Sequence, residues 1–573
     1  MNSTVGVRSF WVGLWGLCSL GAMACTPRSV PPSGPPTIQS SDGAQTVARL
    51  LQHMQTLASD DFGGRAPGTA GEQRTVHYIV DALRALGLRG GAADGSFTQP
   101  VPLIGITGRP QLRLDLSDSA GNSGSAATFA LRFPDDYVAM SRRLTDRVQV
   151  RDAQIIFVGH GVIAPEYGWD DYKGLDVRGK TLLMLSNDPQ VEQAPGRPDP
   201  QRFRGDAMTY YGRWTYKYEI ASRLGAAAVF IVHETALAGY PYAVVRAWDR
   251  EQIDIDTGDG NDARVAVEGW LSEGTARALL SACGQDLTQL KKAAARPDFV
   301  PRPLPVRAQV QIENTLRRFA SHNIVARIDG TDPDRKQQAI VYSAHWDHLG
   351  QSTDPATGTP RIFHGAIDNA SGVAALIEVA RGLRSLQPRR SILFMAPTAE
   401  EYGLLGAHYY TQHPPVPLSQ TVADINMDMM NVWGPTRAVA NVAAGFSDLD
   451  AQFVHAAAAQ GRQVHGDPDP TKGYFFRADS FEFAKAGVPV ALLMRPGLDF
   501  VDHPPAFANE KAAAFTADDY HPPRDVVTAD WDLRGMAQDV DLLIRLGVLL
   551  DRDDRMPTWN AGAGFSRSSA PAH

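Results

Sequence analysis

The sequence predicts an α/β fold, a mixed and mostly parallel sheet flanked by helices, with a β-rich domain inserted into it. Beyond residue 321, apolar strand-like runs alternate with helical patterns, as in proteins whose parallel sheet is covered by helices. Between residues 134 and 307, short β-like runs alternate with clusters of turn residues and only short helical stretches. Two helical patterns precede this middle part, so we expect it to interrupt the α/β domain.

Helices and strands are predicted from local apolar patterns. Apolar residues recur on one helical face over residues 46–57 and again over 75–86, where the pattern ends at Gly87, as helices often do. The segment 60–68 between them contains Gly and Pro and predicts a loop. Short apolar runs in the middle part predict three strands, at residues 154–158, 180–185 and 227–232.

The chain of 573 residues divides into a signal peptide, a tether, a main domain in two pieces, an inserted domain and a tail. The tether has five prolines between Pro27 and Pro36, which is typical of an extended linker. The tail is rich in Ala, Gly, Ser and Pro, which predicts disorder. The predicted boundaries are residues 1–25 for the signal peptide, 26–44 for the tether, 45–133 and 308–551 for the main domain, 134–307 for the inserted domain and 552–573 for the tail.

Composition places the chain among globular proteins with a substantial core. Apolar residues make up 43% and charged residues 21%, which excludes disorder for most of the chain. The 55 basic and 63 acidic residues give a net charge of −8 without a long basic run, so we expect no nucleic-acid partner. Three cysteines, Cys18, Cys25 and Cys283, are too few for a disulfide framework.

The N-terminus has the pattern of an export signal. Arg8 precedes an apolar run, residues 10–24, that is too short to span a membrane but suits the core of a signal peptide. Small residues precede Cys25, so the segment resembles a bacterial lipoprotein signal in which Cys25 is lipidated. Plain cleavage near Ala24 is the alternative. We expect an exported protein of the periplasm or cell envelope, either soluble or attached to a membrane through Cys25.

Side chains that can bind a metal follow three of the strands predicted in the last part of the chain. In open α/β sheets, ligands bind beyond the carboxyl ends of the strands. If the three strands are neighbours, their polar ends therefore converge at one edge of the sheet. The run 339–344 ends at His345, the run 391–396 leads to Glu400 and Glu401, and the run 421–427 ends at Asp428.

Most of these groups also have a purely structural interpretation. Two imidazoles and a carboxylate within residues 345–348 suit zinc, yet such clusters are common in solvated loops. Adjacent acids such as Glu400 and Glu401 are common in surface turns. Asp368 or Asn369 is placed to cap the helix that follows, an interaction worth about 1 kcal/mol.

Asp428 and His521 complete the candidate set. Three methionines flank Asp428, and a carboxylate in so apolar a setting is costly unless it is paired or binds a metal. His521 lies in a Pro-rich loop, where Asp525 is close enough in sequence to orient it. As a lone histidine it would be an ordinary surface residue.

Together these positions resemble the di-zinc aminopeptidase family, which also includes glutamate-carboxypeptidase-like enzymes. The N-terminal loop at residues 57–68 takes part in this resemblance, and the inserted domain resembles a protease-associated domain through residues 159–162 and 175–180. The order and spacing of the motifs match as well. The matching motifs are residues 344–350, 365–372, 398–406, 426–429 and 520–525.

The resemblance implies two zinc ions, five metal ligands, a general base and an orienting carboxylate. Glu400 is implied as the general base and Asp347 as the carboxylate that orients His345. The peptide bond between Asp368 and Asn369 is implied to be cis. The implied ligands are Asp368, which would bridge both ions, His345 and Asp428 at one ion, and Glu401 and His521 at the other.

Ser480 and the aromatic segment 474–476 leave open which residues contact the substrate. Ser480 stands where many relatives have histidine, but this position is not among the five implied ligands. The aromatic residues 474–476 just before it could line a side-chain pocket or could simply pack in the core. Neither position changes the implied metal centre.

The resemblance implies an exported zinc-dependent exopeptidase that hydrolyses peptide bonds of a peptide substrate with water activated by two zinc ions. An aminopeptidase is the first hypothesis. A carboxypeptidase of the glutamate-carboxypeptidase type is the nearest alternative, because the same metal centre serves both. A non-catalytic receptor-like module would lack a ligand or the base, and a cyclase of the same fold would need one zinc ion only.

Overall fold

The computed structural model describes residues 43–116, 128–354, 357–494 and 498–567. The signal peptide with Cys25 and nearly all of the tether lie outside the described residues, so export and lipid attachment stay predictions. Among the helices of the described ranges, none is both long and apolar enough to cross a membrane.

Helices and strands alternate along the described residues. The α-helices are α1 Gly43–Leu57, α2 Ala70–Ala85, α3 Trp214–Arg223, α4 Thr235–Ala238, α5 Tyr242–Val245, α6 Glu273–Ala282, α7 Leu287–Ala294, α8 Ser371–Leu383, α9 Leu405–Gln412, α10 Asp450–Ala458, α11 Ser480–Lys485, α12 Phe507–Asp518 and α13 Arg534–Arg552. The strands are β1 Arg89–Gly90, β2 Thr98–Leu116, β3 Thr128–Phe129, β4 Tyr137–Met140, β5 Arg147–Phe157, β6 Ile163–Ala164, β7 Trp169–Asp170, β8 Thr181–Leu185, β9 Glu192–Ala194, β10 Arg197–Pro198, β11 Ala228–His233, β12 Gln252–Ile255, β13 Val267–Ser272, β14 Arg302–Ile328, β15 Ala339–Ser343, β16 Gln351–Thr353, β17 Pro360–Ile362, β18 Ser391–Ala396, β19 Thr421–Asp428, β20 Thr436–Ala440, β21 Gln463–His465, β22 Val490–Met494 and β23 Leu498–Phe500.

The main sheet has the strand order β22-β19-β15-β18-β14. The first four strands are parallel to one another, and β14 is antiparallel to β18. Every residue of β15, β18, β19 and β22 is buried, as expected of strands with helices over both faces. The predicted fold class, a mixed and mostly parallel sheet flanked by helices, is therefore confirmed.

Helices α1, α8 and α13 pack against one another beside this sheet. Glu378 of α8 is buried and accepts hydrogen bonds from Arg49 of α1 at 2.8 Å and from Arg381 at 2.8 Å. At the start of α2, the Thr69 side chain accepts a hydrogen bond from Gly71 N, which satisfies a donor that the helix leaves free.

Strand β14 joins the main sheet to the inserted segment. It pairs with β18 through residues 324–328 and with β5 through residues 302–313. Strand β2 pairs with β14 over nineteen successive residues, from Thr98 to Leu116. The sheet then continues through β5, β8, β11, β13 and β4. The boundary predicted between residues 307 and 308 thus falls inside a continuous strand.

The inserted segment has its own apolar core on both faces of its strands. Successive side chains of a strand point to opposite faces of the sheet. In β11, Phe230 and Val232 belong to one cluster of buried apolar residues, whereas Val229 and Ile231 belong to another. Helices of this segment therefore cover a sheet that is buried on two sides.

Residues 557–567, predicted as part of a disordered tail, pack onto the main domain. Arg567 donates hydrogen bonds to the carbonyl oxygens of Thr421 and Val422 at the start of β19, at 2.8 and 2.5 Å. Trp559 donates to the carbonyl oxygen of Gly487 at 2.9 Å, and its ring lies 4.9 Å from that of Phe565. The prediction of disorder is wrong for these residues, because two aromatic side chains and one arginine hold an otherwise small and polar segment.

Candidate metal centre

The three predicted strand ends meet at one edge of the main sheet. Strands β15, β18 and β19 are parallel neighbours, so the residues that follow them converge. Nε2 of His345 lies 3.5 Å from Asp428 Oδ1 and 4.0 Å from Glu400 Oε2. The predicted convergence is observed.

Asp368 lies between the two candidate metal positions. Its Oδ1 is 3.3 Å from His345 Nε2, and its Oδ2 is 3.4 Å from His521 Nε2. His521 Nε2 is also 3.1 Å from Glu401 Oε2. One carboxylate therefore contacts the histidine of each implied site, as a bridging ligand must. The peptide bond between Asp368 and Asn369 is cis, as the resemblance implied.

The side chain of Asn369, not that of Asp368, forms a hydrogen bond with the start of the following helix. Its Oδ1 accepts a hydrogen bond from Gly372 N in the first turn of α8 at 2.9 Å. Its Nδ2 donates to the carbonyl oxygen of Met427 in β19 at 3.0 Å. Asp368 therefore does not cap the helix, and the carboxylate of Asp368 faces the site.

Asp525 holds the main chain of Asp368, not the side chain of His521. Its carboxylate accepts hydrogen bonds from Ile367 N at 2.8 Å and from Asp368 N at 2.9 Å. The expectation that Asp525 orients His521 is therefore corrected. The sequence could not distinguish the two partners, because both lie in loops whose relative position depends on the fold.

Asp347 connects His345 to Glu400. Its carbonyl oxygen lies 3.2 Å from His345 Nδ1, and its carboxylate Oδ1 lies 3.8 Å from the same atom. Oδ1 also accepts a hydrogen bond from Glu400 N at 3.1 Å. When Nδ1 of His345 donates to the carbonyl oxygen, its Nε2 keeps a free lone pair toward Asp368 and Asp428.

His348 belongs to the histidine cluster that suits zinc, but it is not among the ligands that the resemblance implies. It is fully buried, and its Nδ1 forms a short hydrogen bond with Glu401 Oε1. His345 lies three residues earlier in the same motif, so residue type and spacing alone did not distinguish the two histidines. Two groups of three residues could each hold a metal ion, because the ligand atoms within each group lie within 4.8 Å of one another. One group is His345, Glu400 and Asp428, and the other is His348, Asp368 and Glu401.

These donor sets overlap only partly with the ligands that the resemblance implies. Glu400 replaces the bridging Asp368 in the first set, and His348 stands in the place of His521 in the second. His521 is more exposed than His348, with 19% of its side chain accessible. The geometry around Glu401 therefore offers two histidines for one position.

Adjacent Glu400 and Glu401 have opposite electrostatic environments. Burial, together with the carboxylates of Asp428 and Asp479, raises the pKa of Glu400 well above its ordinary value. Burial and Asp368 act to raise the pKa of Glu401 as well, but His521 and His348 outweigh them and lower it to about 2. Glu400 is thus suited to hold a proton and Glu401 to stay ionised.

The site fits a bound cation. Several buried donor atoms at the site have no hydrogen-bond partner within the described ranges, and such atoms are costly to bury unless a metal or a partner satisfies them. Imidazole nitrogens and carboxylate oxygens together are the ligands that zinc prefers. The unpartnered atoms are His345 Nε2, His348 Nε2, Asp428 Oδ1, Asp347 Oδ2 and both carboxylate oxygens of Asp479.

Asp479 is a residue that the sequence analysis missed. It is 1% exposed, and burial with the nearby carboxylates of Asp347 and Asp428 raises its pKa well above the ordinary value. The next residue, Ser480, is fully buried and its Oγ also has no hydrogen-bond partner among the described residues. The only signal for Asp479 in the sequence was its position directly before Ser480, which stands where many relatives have histidine.

The site opens into a cleft between the inserted segment and the main domain. The cleft has a volume of ≈ 3150 Å³, several times the roughly 300–1,000 Å³ of a small-molecule pocket. Glu400, Glu401 and His521 line it, and so do Tyr210 and Trp214 of the inserted segment. Its size suits an extended chain better than a single small molecule.

Of the aromatic residues 474–476, only Phe476 lines this cleft. Phe475 is 3% exposed and stacks on Phe446 with ring centroids 4.2 Å apart. Tyr474 is also buried. Core packing therefore accounts for two of the three residues, and the pocket interpretation is left for Phe476 alone.

Fold and site together define an α/β protein with a buried cluster of histidines and carboxylates at the carboxyl ends of parallel strands. Residues 323–544 match the sequence model of Peptidase family M28, and every implied ligand lies in this range. This segment of the chain is therefore similar to that family.

Curated relatives match a shorter part of the chain. The aminopeptidase NAALADL1 of Mus musculus is 34% identical over 144 residues, which are 23% of this chain and 17% of the relative. A vacuolar membrane protease of Candida albicans (strain WO-1) is 36% identical over 96 residues, 17% of this chain and 10% of the relative. The chain thus spans less than a fifth of the length of these relatives.

Solved structures of aminopeptidases resemble the chain over most of its length. The match with the aminopeptidase from Aneurinibacillus sp. strain AM-1 covers 88% of this chain and 94% of that aminopeptidase, with a TM-score of 0.48 and 17% identity. A zinc aminopeptidase from Bacillus subtilis covers the same shares, with a TM-score of 0.42 and 19% identity.

Proposed function

We propose that this protein is an exported zinc-dependent exopeptidase with two metal sites, acting as an aminopeptidase on peptides. The observation that carries this proposal is the position of Asp368, whose two carboxylate oxygens lie 3.3 Å from His345 Nε2 and 3.4 Å from His521 Nε2. One carboxylate between two histidines suits a ligand that two metal ions share. The M28 match of residues 323–544 supports the reaction class.

Asp368 is proposed as the ligand shared by two zinc ions. His345 and Asp428 would complete one site, and Glu401 with His521 the other. His348 faces Glu401 from within the core and would support the second site by orienting that carboxylate or by binding directly. Zinc supplies Lewis acidity that activates water and polarises a scissile carbonyl group.

The chain's own residues then move the proton. Glu400 would accept a proton from the attacking water and donate it to the leaving amine, because its carboxylate lines the cleft 4.0 Å from His345 Nε2. Asp347 would hold Glu400 through the main-chain hydrogen bond and His345 through its carbonyl oxygen. The inserted segment would cover the cleft so that a peptide end enters between it and the main domain.

A carboxypeptidase is the second candidate, and two arginines favour it. Arg213 of the inserted segment and Arg477 of the main domain both line the cleft. The Nε atoms of both are buried without a hydrogen-bond partner, and neither guanidinium forms an ion pair with a carboxylate in the described parts of the chain. Burial and the charge of Arg477 lower the pKa of Arg213 to about 10, so it stays charged at neutral pH. Arg477 also donates to the carbonyl oxygen of Ala238 at 2.9 Å, but guanidinium groups without a carboxylate partner suit a substrate carboxylate.

The two candidates are distinguished by blocking one end of the substrate at a time. We would compare a tripeptide with its N-terminally acetylated form and its C-terminally amidated form, using zinc-loaded protein and Glu400→Gln as the inactive control. An aminopeptidase loses activity on the acetylated peptide only, and a carboxypeptidase on the amidated peptide only. Absence of hydrolysis of all three peptides would contradict the exopeptidase proposal.

Export and lipid attachment are part of the same proposal. The signal-like segment before Cys25 supports them. Expression of the full chain and of Cys25→Ala in a bacterial host, followed by fractionation, tests the point. Wild-type protein in the membrane fraction and the variant in the soluble exported fraction would support a lipid anchor. A cytoplasmic wild-type protein would contradict export.

A further inference from the structure

The N-terminal loop at residues 57–68 resembles the family but has no part in the proposed reaction, and its Arg65 is one of the most deeply buried charged side chains. It is 1% exposed. Its guanidinium donates to four main-chain carbonyl groups and forms no ion pair with a carboxylate among the residues that the structure describes. The four acceptors are Trp346 O at 2.9 Å, Leu57 O at 2.9 Å, His364 O at 2.5 Å and Gly365 O at 2.7 Å.

Two of these carbonyl groups belong to the two segments that carry metal ligands. Trp346 lies between His345 and Asp347, and Gly365 precedes Asp368 by three residues. The planar guanidinium group holds its donors in a fixed fork, so it sets the distance between the carbonyl oxygens that it binds. Arg65 therefore joins the main chain next to His345 to the main chain next to Asp368.

The main chain of the loop at residues 57–68 also packs against the segment that follows His345. Gly350 N donates to Gly64 O at 2.9 Å, and His348 N donates to Arg65 O at 3.4 Å. A Cβ atom at Gly64 would lie 2.2 Å from Gly350 O and 2.5 Å from Phe363 O, so the contact requires glycine. The loop is thus fixed on both sides of the ligand segments.

The charge of Arg65 is placed to act on the carboxylates of the site. Burial lowers its pKa to about 10, while Asp525, Asp368, Asp347 and Glu401 favour its charged form, so it remains a cation at neutral pH. Because its donors are used on carbonyl groups, it offsets the repulsion among these acids without competing for their oxygens as a direct ion-pair partner would.

We propose that Arg65 is a positioning residue of the metal centre: its guanidinium fixes the segment of His345 relative to that of Asp368. This inference rests on the proposed zinc site. It predicts that loss of Arg65 lowers zinc affinity about 10- to 100-fold, the range observed when groups that orient metal ligands are removed.

Arg390 provides a matched control. It is also fully buried, and it donates to the carbonyl oxygens of Leu550 at 2.6 Å and Asp553 at 2.6 Å. It precedes β18, at the end of the strand opposite to Glu400. Arg390→Met therefore removes a buried, carbonyl-binding guanidinium of the same kind without touching the site.

The experiment compares the full chain with Arg65→Met, Arg65→Lys and Arg390→Met. Zinc affinity is measured by competition with a chelator, ligand geometry by the visible absorption of the cobalt-substituted protein, and stability by thermal unfolding. We expect Arg65→Met to lose at least tenfold in zinc affinity and to change the cobalt spectrum. Arg390→Met should lose stability but keep both metal properties.

Arg65→Lys keeps the charge but loses the planar arrangement of donors, so it should also bind zinc more weakly than the wild type and show an altered cobalt spectrum. If Arg65→Met does not fold, this variant carries the test. Wild-type affinity and spectrum in the Arg65 variants that fold would overturn the proposal, as would equal loss of zinc in Arg390→Met. If the wild-type chain binds no zinc, the proposed function fails, and this result is distinct from the others.

Discussion

Glu400 and Glu401 are neighbours in the chain, yet their carboxylates face different histidines. Glu400 Oε2 lies 4.0 Å from His345 Nε2, whereas Glu401 Oε2 lies 3.1 Å from His521 Nε2. The single helical turn Glu400–Tyr402 holds both residues, and it is preceded by Ala399 with a positive φ of 55°. This turn separates the two side chains, as the different roles proposed for them require.

Glu400→Gln is expected to keep both zinc ions and the fold but to lose at least about a hundredfold in kcat, the low end for general acid–base catalysis. The amide has nearly the same shape but cannot accept the proton. Zinc content by elemental analysis and steady-state kinetics check this. Loss of zinc from the variant would instead identify Glu400 as a ligand.

Single alanine substitutions should separate the two metal sites. Asp428→Ala and His521→Ala are each expected to weaken one zinc site, whereas Asp368→Ala should disturb both, because its two oxygens face His345 and His521. Metal analysis of the three purified variants provides the measurement. Equal loss in all three would remove the case for a bridging carboxylate.

His348 should act on the same zinc site as His521. It is hydrogen-bonded to Glu401, so His348→Ala is expected to lower the affinity of that site about tenfold or more. His408→Ala is a suitable control, since His408 pairs with Glu482 at 3.0 Å and not with a candidate ligand. Chelator titration of both variants checks the expectation, which fails if the second site binds zinc normally in His348→Ala.

Asp424 should make stability fall as the pH rises. It is fully buried, and burial raises its pKa to about 8 even though Ser343 donates a hydrogen bond to it at 2.7 Å. Between the unfolded pKa near 4 and this folded value, the folded protein binds a proton that the unfolded chain has released, so the stabilising contribution is complete below about pH 4 and is lost toward pH 8.

Asp424→Asn keeps the hydrogen-bond acceptor and cannot ionise. We expect it to flatten the pH dependence of unfolding and to be more stable than the wild type at pH 8 by at least about 1.4 kcal/mol, the equivalent of one pKa unit. Denaturant unfolding of both proteins at pH 5 and pH 8 provides the comparison. Parallel curves with the same pH slope would contradict this assignment.

The C-terminal segment should contribute to stability. Arg567→Ala removes three hydrogen bonds to main-chain carbonyl groups, and a chain ended after Arg555 also removes Trp559 and Phe565. We expect losses of about 1–3 kcal/mol for the single variant, the usual range for destabilising point mutations. Thermal unfolding and limited proteolysis test this, and early cleavage of the wild-type chain near residue 560 would speak against it.

Sequence patterns were sufficient to predict strands β15, β18 and β19 and the edge of the sheet at which their polar residues meet. The runs before His345 and Asp428 are continuously apolar, because their strands are buried on both faces, and such runs mark a central parallel strand. The order of the strands in the sheet then brings their polar ends together. For these residues, local pattern and tertiary structure agree.

Local patterns were insufficient where the partner of a side chain depends on a distant loop. Asp525 binds the main chain of Asp368, 157 residues away, and Arg65 binds three carbonyl groups that lie 281 to 300 residues away. Neither has an adjacent residue that identifies its partner. Asp479 lacks a polar partner among the described residues, so no pairing rule could have found it.

Strand β14 has a consequence for protein engineering. Because it runs without a break from the pairing with β5 into the pairing with β18, and β2 accompanies it over nineteen residues, the inserted segment has no flexible joint at this side. A cut at residue 307 would leave two halves of one strand, each with unpaired main-chain groups that invite aggregation. Exchange of this segment between related chains would therefore succeed only if β2 and the whole of β14 were transferred with it.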